Sequence, residues 1–143
     1  MAVITTYHNA YNTHYHIVFP VKYRKALLNH EVELAIVKIA GEIAERYDIE
    51  FEKIGCDGDH IHILANFAPK YSGSDVVRMF KSITAKELFK RFPNIKKELW
   101  GGEFWSDGYY LATVSDRGNW EQVERYIENQ GKTIQEVQLK LIS

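Results

Sequence analysis

The period of hydrophobic and polar positions changes several times along the chain, and each change marks an expected element. The run Thr13-His14-Tyr15-His16-Ile17-Val18-Phe19 reads as a strand closed by Pro20. From Asn29 onward the apolar positions Val32, Ala35, Ile36, Ile39, Ala40, Ile43, Ala44 and Tyr47 recur at three-four spacing. That is one buried stripe of a helix, with Asn29 as its cap and Glu31 and Glu33 in the first turn. Residues 49–55 and 60–67 read as two strands around Cys56-Asp57-Gly58-Asp59, where Asp-Gly is a strong hairpin signal. A second helix is expected from about Ser74, as N-cap, to Phe92, with Pro93 marking its end and Val76, Val77, Phe80, Ile83 and Leu88 buried. A fourth strand covers roughly residues 108–114, and a last helix begins near Asn119 and is interrupted at Gly131.

Strand-helix-strand-strand-helix-strand is the ferredoxin-like order, an α+β arrangement of one antiparallel sheet with two helices on one face. The C-terminal helix is an appendage to it. No repeat, low-complexity tract or linker interrupts the chain, so residues 1–143 are expected to form one domain, with a core of about 1–117 and the C-terminal helix over about 119–143. RNA-recognition domains share this layout, and the fold alone leaves function open.

Composition adds exclusions. The 143 residues are 45% hydrophobic and 26% charged, as in ordinary globular proteins. No apolar run reaches membrane-spanning length, and the first residues lack a charged segment followed by an apolar block, so neither a membrane partner nor a secretory signal is expected. A single cysteine, Cys56, excludes an internal disulfide and suits a reducing, cytoplasmic setting. The net charge of -1 is uninformative, but its distribution is not. Lys70, Arg78, Lys81, Lys86, Lys90, Arg91, Lys96 and Lys97 fall together, opposed in that stretch only by Asp75 and Glu87. A second basic knot, Lys22-Tyr23-Arg24-Lys25, follows the first strand. Basic segments interleaved with aromatics fit a phosphate-backbone footprint, and equally a solvated helix face.

Side chains alternate along a strand, so in Asp59-His60-Ile61-His62-Ile63-Leu64 both histidines share one face and both isoleucines the other. Imidazoles two apart, at roughly 6.5 to 7 Å along a strand, can converge on one metal. They can equally be hydrogen-bonded residues of an open face. His14 and His16 form a second such pair, and spacing does not choose between the two. In the last helix Tyr126 and Gln130 are one turn apart on one face. A phenol and a carboxamide there could present a nucleophile and a neutral oxygen ligand to one ion. Two imidazoles and an amide oxygen would suit Mg²⁺ or Mn²⁺ and lack the thiolates of a structural zinc site. Tyr126 also fits an ordinary core stripe with Val123, Ile127 and Ile134.

Four segments together carry a resemblance. His60-Ile61-His62 is the HUH signature, a hydrophobic residue between two histidines, and Tyr126-Ile-Glu-Asn-Gln130 resembles the tyrosine helix of the small single-tyrosine HUH transposases. His16-Ile-Val-Phe-Pro-Val-Lys-Tyr-Arg-Lys25 resembles their first strand and its basic exit, and Trp100-Gly-Gly-Glu-Phe-Trp-Ser-Asp-Gly-Tyr-Tyr110 the approach to their fourth strand. The resemblance spans nearly the whole chain in the right order. It implies a transposase that cleaves and transfers single-stranded DNA carrying hairpin ends, through a covalent 5′-phosphotyrosine. It implies that His60, His62 and Gln130 hold one divalent metal, Mg²⁺ or Mn²⁺, and that Tyr126 is the nucleophile. His14 and His16 fall outside that ligand motif and are expected to be strand or DNA-facing residues. The family is dimeric, so a homodimer with composite active sites is expected, with Gly118 a natural hinge for exchange of the tyrosine helix. Lys22, Arg24, Lys25, Arg78, Lys81 and Lys86 are the expected DNA contacts, and Tyr23, Phe104, Trp105 and Tyr109 are aromatics that could stack bases. Other readings consistent with the sequence are a domesticated relative acting on chromosomal repeat hairpins, a non-catalytic nucleic-acid-binding module, and a metal-dependent hydrolase.

Overall fold

A computed structural model describes the chain at Ile4–Thr5, Ala10–Tyr11 and residues 13–114. Among these residues the elements are β1 (Ile4–Thr5), β2 (Ala10–Tyr11), β3 (His14–Pro20), α1 (His30–Tyr47), β4 (Ile49–Asp57), β5 (His60–Phe67), α2 (Gly73–Arg91), α3 (Pro93–Glu98) and β6 (Tyr110–Val114). Strands β1 and β2 pair only with each other. The other four form one sheet in the order β4-β5-β3-β6, antiparallel at every step. With α1 and α2 this is the expected ferredoxin-like βαββαβ core. Gly118, Tyr126, Gln130 and the expected C-terminal helix lie outside the described residues.

The alternation of β3 and β5 decides what each face of the sheet carries. Ile17 and Phe19 of β3 and Ile61, Ile63, Ala65 and Phe67 of β5 pack into one cluster with Val32, Ile36, Ile39 and Ile43 of α1 and Val76, Val77, Phe80 and Leu88 of α2. Each fully buried large apolar side chain contributes on the order of 1.5–3 kcal/mol. That sum fixes the helices on this face and fixes the register of the strands. His14, His16, His60 and His62 therefore take the opposite face, because a slip of one residue would drive them into the apolar layer.

Three local features depart from the expected pattern. Helix α2 is capped by Ser72, not Ser74: the Ser72 hydroxyl accepts from the Asp75 N–H at 3.0 Å while the Asp75 carboxylate accepts from the Ser72 N–H at 3.3 Å. That reciprocal pair satisfies two otherwise unpaired donors and outweighs a single cap one turn-fraction later. Helix α2 ends before Pro93, as expected, with Phe92 as its C-cap, but a further short helix, α3, follows at once. Pro93 occupies the first turn of α3, where its missing N–H costs nothing. The β4-β5 hairpin is tighter than the sequence suggests, since Asp57 pairs with His60 and only Gly58 and Asp59 turn, with Gly58 at φ 58. Left-handed backbone there favours glycine.

Phe104 and Trp105 lie in the core, not on a DNA-facing surface, at 0% and 4% exposure. Trp105 packs edge-on against Phe19 and donates its indole N–H to Thr84 at 2.9 Å.

Candidate active site

The tight hairpin sets the chemistry of its own end. His60 is the first residue of β5 and His62 follows two later, so the rings stand on the same face with centroids 4.9 Å apart and planes at 64°. Both are buried to 1% exposure. Asp59, in the turn, accepts a hydrogen bond from His60 Nδ1 at 2.7 Å. This fixes the tautomer: the proton sits on Nδ1 and the Nε2 lone pair is left for another partner. Among the described residues, His60 Nε2 and both ring nitrogens of His62 are buried without a hydrogen-bond partner. Buried polar atoms left unsatisfied are costly, and a bound cation would satisfy them. A carboxylate behind a histidine is also the usual way a metal ligand is oriented.

Asp59 is held from its other side. The Arg24 Nε donates to its second carboxylate oxygen at 2.9 Å. Burial opposes ionisation of Asp59, but the hydrogen bonds from His60 and Arg24 and the Arg24 charge outweigh it and hold the carboxyl below its usual range. The Asp57 carboxylate stands 3.6 Å from His60 Nε2. Burial, and then the positive charge that His16 and His60 would carry, pull the His62 pKa down to about 3, so its imidazole is neutral near pH 7. A neutral imidazole can bind a cation without first losing a proton.

The residues present fit a divalent cation as far as two ligands. Among the described residues no cluster of three or more His, Cys, Asp or Glu side chains is placed to hold a metal.

His14 and His16 are strand residues of β3, one of the two expected placements, and both are fully buried. The His16 ring stacks on His62 at 5.8 Å and 13°, with Tyr110 edge-on at 6.1 Å. Burial lowers its pKa to about 4. His14 is paired through Nδ1 with Glu52, which stands at a bulge in β4. The second histidine pair is thus a neighbour of the first and supports its ring packing.

The basic residues fall into two groups. Lys22, Arg24 and Lys25 occupy the turn after β3, at the His60 end of the sheet. There Lys22 meets Glu103 at 3.6 Å and Lys25 lies over the Trp100 ring at 4.6 Å. Arg78, Lys81 and Lys86 are on α2, across the sheet from the histidines. Arg78 is 75% exposed beside Asp75, and Lys86 is exposed. Lys81 donates to the Ser106 and Gly108 carbonyls at 2.8 and 2.7 Å and so ties the loop before β6 to α2. Of the aromatics, Tyr23 is 60% and Tyr109 38% exposed. The Tyr109 hydroxyl is bonded to Ser74 Oγ at 2.5 Å.

Residues 9–130 match the family described as Transposase IS200 like. The chain belongs to the IS200-like transposase family. It is 33% identical over 120 residues to the ISDra2 transposase TnpA of Deinococcus radiodurans, across 84% of this chain and 85% of that protein. It is 32% identical over 123 residues to the transposase for insertion sequence element IS200 of Salmonella typhimurium, across 86% and 80% of the two chains. A solved structure from Deinococcus radiodurans R1, described as that of a transposase, superposes with a TM-score of 0.69 at 29% identity, across 90% of this chain and 98% of the other. A REP-associated tyrosine transposase bound to a REP hairpin aligns with a TM-score of 0.50 at 12% identity, across 87% and 68%, and shows the shared fold alone. As an IS200-like transposase the chain acts on DNA. Among the described residues no helix is long and apolar enough to cross a membrane.

Two residues of this region have no distinguishing signal in the sequence. Asp59 was signalled only by its place beside the histidine motif at a hairpin. Trp100, 73% exposed against Lys25, carried no signal that separated it from the buried Trp105.

Proposed function

We propose that the chain is a single-tyrosine transposase that cuts and rejoins single-stranded DNA at hairpin-marked ends of its element, with Tyr126 as nucleophile. His60, His62 and Gln130 would hold one divalent cation, Mg²⁺ or Mn²⁺. The observation that carries this reading is the pair of buried imidazoles on one strand face, with His60 oriented by Asp59 through Nδ1 and its Nε2 without a hydrogen bond among the described residues. Family membership supports it further, since the matched segment runs through Tyr126 and reaches Gln130.

The chemistry follows from the need to rejoin DNA without an external energy source. The Tyr126 phenol attacks a backbone phosphorus, forming a tyrosine ester of the 5′-phosphate as the P–O3′ bond breaks and the leaving 3′-oxygen takes up a proton. The energy of the broken diester is kept in the new ester, which a 3′-hydroxyl can later attack to restore the chain and free the phenol. A phenol of pKa about 10 is a poor nucleophile at neutral pH. A bound divalent ion would supply charge neutralisation at the phosphoryl oxygens. Two histidines on a hydrogen-bonded sheet fix the ligand positions more rigidly than loop residues would. One tyrosine per chain and two ends to cut call for two subunits, hence a homodimer, in which Gly118 would be the hinge that lets the tyrosine helix complete the partner's site.

The test is a denaturing gel of the protein with labelled single-stranded DNA from its own element's end, in Mg²⁺ or EDTA. A metal-dependent adduct on the 5′-phosphate end created by the break, absent in Tyr126→Phe, is expected. DNA bound but never cut would indicate a binding module, and free ends without adduct a hydrolase. Flanking DNA lacking element ends would favour a domesticated relative.

A further inference from the structure

Two exposed aromatic rings meet at the basic turn beside the histidine site, and among the described residues no packing contact buries them. Tyr23 is 60% and Trp100 73% exposed, and their centroids lie 5.2 Å apart at 82°. Large aromatic side chains carry most of the apolar area that folding removes from water, so leaving two together in solvent forgoes stabilisation. The backbone beneath them is also held against its preference. Tyr23 and Arg24, consecutive residues, sit at φ 60 and 53, and Trp100 at φ 53. Left-handed backbone at non-glycine residues is unfavourable and persists where surrounding structure enforces it.

The enforcing contacts are visible. The Lys22 N–H donates to the Phe104 carbonyl at 2.8 Å, and the Arg24 N–H to the Val21 carbonyl at 2.9 Å. Beyond the second ring, the Gly101 N–H donates to the Lys96 carbonyl at 2.8 Å. The Arg24 side chain is fastened to Asp59, the partner of His60. The two rings are thus presented outward from a turn rigidly tied to the His60 end of the sheet.

Their surroundings are cationic. Lys25 Nζ lies 4.6 Å from the centroid of Trp100 and Lys22 Nζ 5.7 Å from that of Tyr23. Lys96 and Lys97 close the helix that leads into Trp100. Exposed π-faces bordered by ammonium groups match the chemistry of unpaired nucleotides, whose bases stack on aromatics while their phosphates meet the cations.

We propose that Tyr23 and Trp100 form a stacking platform for an unpaired base of single-stranded DNA, and that the Arg24–Asp59–His60 chain of hydrogen bonds fixes it relative to the candidate metal site. The platform rests on the transposase reading for its substrate and extends it by assigning where an unpaired nucleotide is gripped.

The experiment uses the full chain in EDTA, with two labelled probes: the element's own hairpin carrying its single-stranded flank, and a blunt duplex of equal length. Trp100→Ala and Tyr23→Ala are each expected to weaken binding of the flanked hairpin by about tenfold to a hundredfold. Duplex binding and the slope of log affinity against log salt should stay as in the wild type, because stacking releases no counterions. Trp100→Phe should retain most of the affinity. Wild-type affinity in Trp100→Ala overturns the platform, and so does equal binding of both probes by the wild type. Loss of a dimer in Trp100→Ala, seen as a fall in sedimentation mass, would overturn it in favour of a contact between copies. If the wild type forms no covalent adduct yet Trp100→Ala still loses single-strand affinity, the platform stands and the transferase assignment falls.

Discussion

Asp59 accepts a hydrogen bond from His60 Nδ1 at 2.7 Å with one carboxylate oxygen and one from Arg24 at 2.9 Å with the other. A single carboxylate therefore joins the basic turn after β3 to the first histidine of the motif. Asp59→Asn keeps the shape but removes the negative charge, and its amide can present a donor where the imidazole N–H needs an acceptor. The expected result is a loss of about 10- to 100-fold in Mn²⁺ affinity, read by electron paramagnetic resonance, with the circular dichroism spectrum unchanged. Arg24→Gln should cost less, because the His60 bond survives. An Asp59→Asn variant that binds Mn²⁺ like the wild type would remove Asp59 from the account of the site.

Stability in metal-free buffer should fall on mild acidification. His16 and His62 have folded pKa values lowered to about 4 and about 3, His16 by burial, and His62 by burial and then by the charges of His16 and His60. In the unfolded chain both titrate near 6.5. As pH drops below 6.5 the unfolded chain takes up protons first, so the contribution of each is full above 6.5 and is lost on the way down to the folded value. Each group contributes a slope of about 1.4 kcal/mol per pH unit within that window. Tm measured from pH 7 to pH 5 should decline, and His16→Gln should flatten part of the decline. A Tm that holds level over that range would show that the two rings are hydrated in solution.

The layout of the sheet was readable because its pattern has a period: alternation placed Ile61 and Ile63 inward and His60 and His62 outward with no tertiary information. The cap of α2 was misplaced because Ser72 and Ser74 are both acceptable alone. Only the acidic residue three places on, Asp75, distinguishes Ser72, and that signature was overlooked. Pro93 does mark the end of α2, but its ring is equally suited to a first turn, and the short α3 that it opens has no separate signal in the sequence. Among the site residues, no pattern encodes what a side chain at a turn will reach. Asp59 bonds His60 because the two-residue turn lets it swing back, and Lys81 reaches two carbonyls in a loop 25 and 27 residues away. Trp100 and Trp105 are of one type and five positions apart, yet one is 73% exposed and the other 4%.

The buried polar pair behind β3 offers a test of the core. Trp105 donates its indole N–H to Thr84 Oγ1 at 2.9 Å, while the Thr84 hydroxyl donates to the Phe80 carbonyl at 2.6 Å. Thr84→Val conserves volume and leaves the indole N–H buried without an acceptor. Urea unfolding should show a loss of about 1–3 kcal/mol. Trp105→Phe removes the donor as well as area, so the double variant should lose less than the sum of the single ones. Strict additivity would mean that the hydrogen bond contributes nothing measurable.

Salt dependence separates the two groups of basic residues. A lysine that meets a phosphate releases counterions, and its removal lowers the slope of log affinity against log salt by about one. Lys25 stands over Trp100 at the turn beside the histidines, and its ammonium faces the proposed path of single-stranded DNA. Lys25→Met should therefore weaken binding at low salt and reduce that slope. Lys81 is differently committed. Its ammonium donates to the Ser106 and Gly108 carbonyls and lies 5.1 Å from the Phe19 ring centroid, and burial lowers its pKa despite Asp107 and Glu103 nearby. Lys81→Met should leave the salt slope unchanged and lower Tm by loosening the loop before β6. If Lys81→Met instead reduces the slope with Tm intact, the ammonium leaves its carbonyls for a phosphate when DNA binds, and the α2 face joins the DNA path.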